Sequence, residues 1–337
     1  MKIRNELVTL KSPLSVNYEV TPRCNLFCKF CFNATQSCTT LKHPPFSQVK
    51  KILNALKQAE VFEVRLFGGE FFTFPHWKET VEYADNLDFF LSFVSNGTLI
   101  TPKIVKFLSS HRINSGAISL HGPRKVYEKI SGVNGSFDSV LAGIRTCLEA
   151  NIELCVLYTL TRENKELIFI TVKELMEFGL KIDAISVGRL TPYGRAKSDW
   201  GKVKLSFADY MAIFPQLERV RHELNVTANF GDAFPFCLLP KKYHEYIIGC
   251  WQGTGFGHVD HTGNVRSCTI AKGSYGNILK TPLSKIWIEK LKDFRSLRWL
   301  PTKCQACKNF CGGGCSATQY NGGLYSPDEF LTTGAIK

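Results

Sequence analysis

Apolar and polar positions along the first two thirds of this 337-residue chain alternate between two rhythms. Short runs rich in β-branched and aromatic residues, at 14–21, 61–67, 89–95, 117–121, 152–159 and 184–190, predict strands. The stretches between them repeat at three and four. Val49, Ile52, Leu53 and Leu56 make one apolar stripe, with Ser47 as its cap. Thr101 and Pro102 supply a cap and a first-turn proline for a helix over 104–108. Val140, Leu141, Ile144 and Leu148 point inward from a helix over 137–150, and 164–178 predicts the helix after the fifth strand. Six strand–helix units in this order predict parallel strands with helices packed outside. The strands are too apolar on both faces for an exposed sheet.

After Leu190 the pattern loosens into the connection TPYGRAKSDWGK, and a further helix over 207–224 closes the unit. From about residue 236 glycines and cysteines become dense and the periodicity fades. The expected organisation is α/β: a partial (β/α)6, TIM-like barrel over 1–225, then a small cysteine-rich domain over 226–337. Metal rather than an apolar core is expected to hold the second unit. No internal repeat is evident.

Composition narrows the function. Apolar residues make up 44% and charged residues 21%, without low-complexity tracts, which argues against disorder. No apolar run reaches the length of a membrane span, and no charged start precedes an apolar core as in a secretory signal. The formal charge, 42 − 29 = +13, fits an acidic partner or a solvated basic surface. No nucleic acid is expected as partner, because no RNA-binding module is evident.

Ten of the thirteen cysteines fall into two sets. Short spacings in a leaderless chain point to metal sites in a reducing, cytoplasmic setting rather than to disulfides. The first set, TPRCNLFCKFCFN, spaces Cys24, Cys28 and Cys31 as C-x3-C-x2-C directly after a strand. Three thiolates hold three irons of a [4Fe–4S] cube and leave the fourth open to a small chelating ligand. The alternative, a zinc knuckle, wants a fourth Cys or His close by, and only Cys38 is near. The second set is Cys237, Cys250, Cys268 and then KCQACKNFCGGGC, with Cys304, Cys307, Cys311 and Cys315. Zinc ribbon and iron–sulfur cluster both fit the last four. Cys147 and Cys155 read as small buried apolar residues.

The first motif, with Phe30 before its last cysteine, resembles that of the radical S-adenosylmethionine (SAM) enzymes. Further segments follow in the family's order: Gly68-Gly69-Glu70 after the second strand, Ser95-Asn96-Gly97 after the third, and Ser119 in ISLHG after the fourth. GSFDSVLAGI at 135–144 and Gly194-Arg195-Ala196 are also family-like. The resemblance implies that Gly68, Gly69 and Glu70 meet the methionine amine of SAM, and that Ser95, Asn96 and Ser119 bond its ribose or carboxylate. Two positions depart from the pattern. His121 stands where an Asp is usual, and Ser131 where an Arg is often found, with Arg124 and Lys129 as nearby substitutes.

The C-terminal segment resembles the SPASM extension of that family, through DHTGNVRSC ending in Cys268, YGNI at 275–278 and LSKIW at 283–287. The resemblance implies auxiliary [4Fe–4S] clusters, the first on Cys237, Cys250, Cys268 and Cys315, the second on Cys304, Cys307 and Cys311. The family's further cysteine is missing after Cys315, and SPDEF stands in its place. A last cluster completed by Asp328 or Glu329, a cluster with an open iron, and a single-cluster domain are the three expectations.

By resemblance the chain is a radical SAM oxidoreductase that cleaves SAM reductively and abstracts hydrogen from its substrate through a 5′-deoxyadenosyl radical. A ribosomally made peptide or protein is the expected substrate, to be cross-linked, joined through a thioether or oxidised. A small molecule, such as a sugar or a haem precursor, is the alternative, followed by RNA modification and by a non-catalytic iron–sulfur or zinc protein. An electron donor such as flavodoxin or ferredoxin is implied. Only about a dozen residues precede the first strand, so leader recognition would fall to a separate leader-peptide-binding protein. No catalytic acid or base stands out, and Cys38 is a candidate hydrogen donor.

Overall fold

The computed structural model describes residues 10–34, 41–113, 115–271, 273–307, 311–319, 322 and 325–332. Cys38 lies outside them. Six parallel strands form the centre in sequence order: β1 (Ser15–Thr21), β2 (Glu63–Gly68), β3 (Phe90–Ser95), β4 (Ser115–Ser119), β5 (Glu153–Thr159) and β6 (Ala184–Gly188). The intervening helices are α1 (Phe46–Gln58), α2 (Trp77–Asn86), α3 (Pro102–Ser110), α4 (Arg124–Ser131), α5 (Ser136–Glu149) and α6 (Ile168–Glu177). Short helices α7 (Trp200–Val203) and α8 (Phe207–Met211) then lead into α9 (Phe214–Leu224).

Alternation along the strands decides which residues face the site. Val16, Tyr18 and Val20 are buried in the same core as Val49, Ile52, Leu53 and Leu56 of α1. The opposite parity turns Asn17, Glu19, Arg65, Ser119, Cys155, Thr159 and Ser186 toward the concave face. The strands are thus apolar toward the helices and polar toward the lumen, and Cys155 lies on the lumen side. Cys147, by contrast, is fully buried on the inner face of α5.

Three expected elements differ in detail. Helix α1 starts from Pro45, whose carbonyl accepts from Gln48 N and Val49 N, so Ser47 is inside the helix and not its cap. The helix expected from 164 starts at Ile168, because the Asn164 amide is spent on the turn before it. Asn164 accepts from Thr161 N and donates to the carbonyls of His121 and Thr159. The helix expected over 207–224 is two, α8 and α9, with Pro215 in the first turn of the second.

The sheet runs past the expected boundary at 225/226. β7 (Thr227–Phe230) adds to β6, while β8 (Phe256–Val259) pairs parallel with β1 on the opposite edge. β9 (Asn264–Arg266) and β10 (Gly276–Asn277) follow antiparallel, giving ten strands in the order β10-β9-β8-β1-β2-β3-β4-β5-β6-β7. Nor is this C-terminal part held by metal alone. Ile286, Trp287, Leu291 and Phe294 are buried and continuous with the barrel core. Their burial supplies an apolar driving force that the faded sequence periodicity concealed, since the α-helical turn Leu283–Lys285 passes into a π-helical one at Ile286–Lys290. Among the described residues, no helix is long and apolar enough to cross a membrane.

Candidate active site

The cysteine loop leaves β1 at the C-terminal ends of the strands, the face where a β/α barrel gathers its loops. Four elements hold it. Gly69 N donates to Thr21 O and Glu70 N to Arg23 O, both at 2.7 Å. A Cβ on Gly69 would lie 2.2 Å from Arg23 O, so glycine is required here by the cysteine loop itself. The C-terminal end of α4 accepts from the loop, Ser131 O from Phe27 N and Ile130 O from Lys29 N. On the far side Arg195 donates from Nε to Cys28 O at 2.7 Å and from its backbone to Cys31 O, with its guanidinium 4.3 Å over the Phe27 ring. Gly194 sits at φ +57°, where a Cβ would strike Cys31 O at 2.0 Å.

The fourth support is the SNG turn. Glu70, 1% exposed, accepts from Asn96 N at 2.6 Å, Ser95 Oγ at 2.9 Å and Phe72 N at 3.1 Å. Burial lifts its carboxyl to about 6 against the pull of these donors. Its oxygens are therefore engaged by the protein, and its local effect is to clamp the GGE and SNG turns together. Ser95 Oγ also accepts from Gly97 N. Asn96 bridges to the cysteine loop, donating from Nδ2 to Asn25 Oδ1 at 2.8 Å and to Cys24 Sγ at 3.8 Å. Gly68 packs against Thr21, and Ser119 ends β4 half-buried beside the lumen.

Among the described residues every cysteine is a free thiol, and no three His, Cys, Asp or Glu side chains converge as a closed metal site. Cys24, Cys28 and Cys31 are nonetheless within electrostatic reach of one another. The Cys24 thiol is pushed up to about 11, by burial first, then by Glu70 and, more weakly, Cys31. Cys28 rises to about 12, by burial, then by Cys24 and Cys31, with Arg195 opposing. Three thiolates so close to one another repel, and a cation set among them would stabilise them together. The N–H groups of Leu26 and Asn96 that point at Cys24 Sγ suit a thiolate ligand. The donor set fits an iron–sulfur cluster.

His121, in the place of the usual Asp, is fully buried, and burial holds it down to about 3. Its Nδ1 accepts from Thr159 N at 3.0 Å, and its ring meets Phe30 edge-on at 4.6 Å. A neutral imidazole thus positions the aromatic residue of the cysteine motif. Ser131 is buried against Ser136, and neither proposed substitute reaches the site: Arg124 pairs with Asp138, and Lys129 with Glu163.

A cleft of about 380 Å³ opens beside the loop, lined by Phe32, Asn33, Tyr193, Arg266, Ile270 and Ser274 among others. A second cavity, about 250 Å³, touches Cys24 between Arg23, Asn25, His43 and Thr73. At the first cleft's edge stands a group that sequence reasoning missed. Glu19, 4% exposed, accepts from Asn33 Nδ2 at 3.1 Å and faces His261 Nδ1 at 3.1 Å. Its only sequence signal was a carboxylate inside an apolar strand.

Burial first, and then neighbouring groups that include Cys268, hold the Cys315 thiol up, and burial followed by Cys311 holds up that of Cys237. Asp328 and Glu329 are both committed. Asp328 pairs with buried Arg189 at 2.5 Å and accepts from Cys315 N and Phe330 N, and Glu329 meets Arg189 at 3.0 Å. A carboxylate completing the last cluster would have to give up that ion pair.

Residues 18–175 match the model of the Radical SAM superfamily, and residues 250–308 that of an iron–sulfur cluster-binding domain, SPASM. The chain belongs to the radical SAM superfamily. Its activity is that of a radical SAM oxidoreductase: SAM is cleaved and hydrogen is abstracted from a substrate. This radical SAM chain is 28% identical, over 92% of its length and 93% of the relative, to the AdoMet-dependent heme synthase of Methanosarcina barkeri. It is 27% identical to the mycofactocin maturase MftC of Mycobacterium tuberculosis, over 94% of this chain and 81% of that protein. In fold it is similar to SuiB of Streptococcus suis bound to S-adenosylmethionine, with TM-score 0.74 and 19% identity over 96% of this chain and 78% of that one. It is also similar to anSMEcpe with bound AdoMet and Cp18Cys peptide, with TM-score 0.70 and 20% identity over 95% and 94%.

Proposed function

We propose that this radical SAM enzyme modifies a peptide, with Cys24, Cys28 and Cys31 holding the cluster at which SAM is cleaved. The observation that carries the substrate class is the cleft beside the cysteine loop. It is open to solvent, and its walls carry amide, hydroxyl and guanidinium groups from Asn33, Asn264, Ser274 and Arg266. Such groups suit an extended backbone better than they suit a flat apolar ring. When bound, the cluster supplies the electron that splits SAM, and the resulting 5′-deoxyadenosyl radical takes a hydrogen atom from the substrate.

The chain's own residues do the rest. Glu70, Ser95 and Asn96 lock two βα turns against the cysteine loop. Arg195 offsets negative charge at Cys28. Phe30, braced by His121, closes the barrel side of the loop against water. Glu19, backed by His261, is placed to accept the proton released when a substrate radical is oxidised. The C-terminal cysteines would hold auxiliary iron–sulfur centres. The net charge of +13 suits docking of an acidic electron donor such as flavodoxin or ferredoxin. Leader recognition would come from a separate protein.

Similarity to the heme synthase favours a second reading, oxidative decarboxylation of a haem precursor, for which Arg266 in the cleft would meet a propionate. One experiment separates the two. The anaerobically reconstituted chain is incubated with SAM, dithionite and either a panel of short cysteine- or glycine-rich peptides or a propionate-bearing porphyrin. Peptide mass falling by whole hydrogens, with 5′-deoxyadenosine formed, supports the proposal. Loss of carbon dioxide from the porphyrin, with the peptide unchanged, refutes it.

A further inference from the structure

The carboxylate of SAM calls for a cationic partner, and the groups expected to meet it are engaged elsewhere. Ser131 stands where an arginine is often found in the family, and it is buried against Ser136. Arg124 is paired with Asp138, and Lys129 with Glu163. Ser95 Oγ donates to Glu70, and Asn96 Nδ2 donates to Asn25 Oδ1. Arg195, on the far side of the cysteine loop, is held on Cys28 O and the Phe27 ring.

The cavity of about 250 Å³ that touches Cys24 offers a cation instead. Arg23, Asn25, His43 and Thr73 complete its lining. Asn25 Nδ2 already donates to Thr98 Oγ1 at 2.8 Å, and Thr73 Oγ1 to Glu70 O at 2.7 Å. Arg23 and His43 are differently placed. Thr21 Oγ1 ties them together, accepting from Arg23 N at 3.2 Å and meeting His43 Nδ1 at 2.8 Å. The second ring nitrogen of His43 and the guanidinium of Arg23 make no hydrogen bond or ion pair among the described residues. The main chain of Arg23 is nonetheless fixed, since its carbonyl accepts from Glu70 N at 2.7 Å and Thr73 Oγ1 at 3.3 Å. An unengaged guanidinium is thus rooted on a rigid backbone, one residue from Cys24 and beside a second nitrogen donor.

We infer that Arg23, assisted by His43, binds the carboxylate of SAM in this chain, in place of the arginine that Ser131 replaces. A ligand that chelates an iron held by Cys24, Cys28 and Cys31 brings its carboxylate close to those sulfurs, and the cavity adjoins the first of them. The planar fork of a guanidinium matches a carboxylate with two parallel hydrogen bonds, which an ammonium cannot do. The cation has moved from the helix after the fourth strand to the loop after the first. This rests on the reading of Cys24, Cys28 and Cys31 as holders of the cluster at which SAM is cleaved.

The test measures binding rather than turnover, on the full chain reconstituted anaerobically with iron and sulfide. Dissociation constants for SAM and for decarboxylated SAM, which lacks only the carboxyl group, are read by isothermal titration calorimetry. Iron content is counted for each variant. Arg23→Gln should weaken SAM by about ten- to a hundredfold, the range of a lost charge-assisted hydrogen bond, and leave decarboxylated SAM unchanged. Arg23→Lys keeps the charge without the fork and should recover part of the loss. Should Arg23→Gln fail to load iron, His43→Leu decides, because it lies outside the cysteine loop. It should weaken SAM by about three- to tenfold, again with no effect on decarboxylated SAM. Unchanged affinity for SAM overturns the inference. So does equal weakening of both ligands, which would make these residues supports of the loop. Failure of the unaltered chain to bind SAM or to form 5′-deoxyadenosine would instead overturn the cluster reading on which the inference rests.

Discussion

Replacing Arg189 with methionine removes the cation on which the C-terminal segment is anchored. Arg189 and Asp328 are both fully buried, and the guanidinium also lies about 5 Å from the rings of Tyr210, Phe234 and Phe330. Methionine fills much of the same volume, so the packing loss is small. The loss that matters is electrostatic. Asp328 would keep only the N–H groups of Cys315 and Phe330, and Glu329 would lose its partner. Removing one member of a buried pair costs about 3–5 kcal/mol, most of it from the charge left behind. The cost should appear in urea unfolding near neutral pH, followed by near-ultraviolet circular dichroism. The double change Arg189→Met with Asp328→Asn should recover much of it, since the fully buried carboxylate is then neutral and only Glu329, 17% exposed, is left without its partner. A single-variant loss below about 1 kcal/mol, or a double variant no more stable than the single, would refute the reasoning.

Other changes probe the loop. Gly69→Ala should expel the cysteine loop from its seat, because the new methyl meets Arg23 O at 2.2 Å; iron content of the reconstituted protein should fall sharply, and full loading would contradict it. Arg195→Met should lower the midpoint potential of the cluster proposed at Cys24, Cys28 and Cys31, as a nearby positive charge and a 2.7 Å hydrogen bond are lost; an unchanged potential in an EPR redox titration would count against it. Glu70→Gln sets an amide N–H against donors. It should cost about 1–3 kcal/mol near pH 5, less above pH 6, where the buried wild-type carboxylate is itself penalised; pH-independent destabilisation would be the contrary result. His121 has a folded value depressed to about 3, so the stability it contributes is present above about pH 6.5 and lost as pH falls toward 3, at about 1.4 kcal/mol per unit. His121→Asn keeps an acceptor for Thr159 N and should flatten that acid limb, read as urea midpoints from pH 7 to 4.

By itself the sequence determined the parallel order β1 to β6, because period-two runs alternating with period-three-and-four runs have few other solutions. It also pointed to the chemistry, because C-x3-C-x2-C is followed in order by the GGE, SNG and ISLHG segments that resemble the radical SAM family. Partners across the chain were beyond its reach. Gly69 looked like a ligand-facing turn, and only the approach of Arg23 O shows that it seats the cysteine loop. Glu70 looked like an ammonium binder, but its oxygens are occupied by Ser95, Asn96 and Phe72. The barrel edge could not be read either: β8 joins β1 across more than two hundred residues through backbone hydrogen bonds that carry no sequence code. The same holds for Gln252, a lone polar residue in the chain and a three-way clamp in the fold. Local periodicity is written residue by residue, whereas a hydrogen bond between distant segments depends on where packing has already placed both of them.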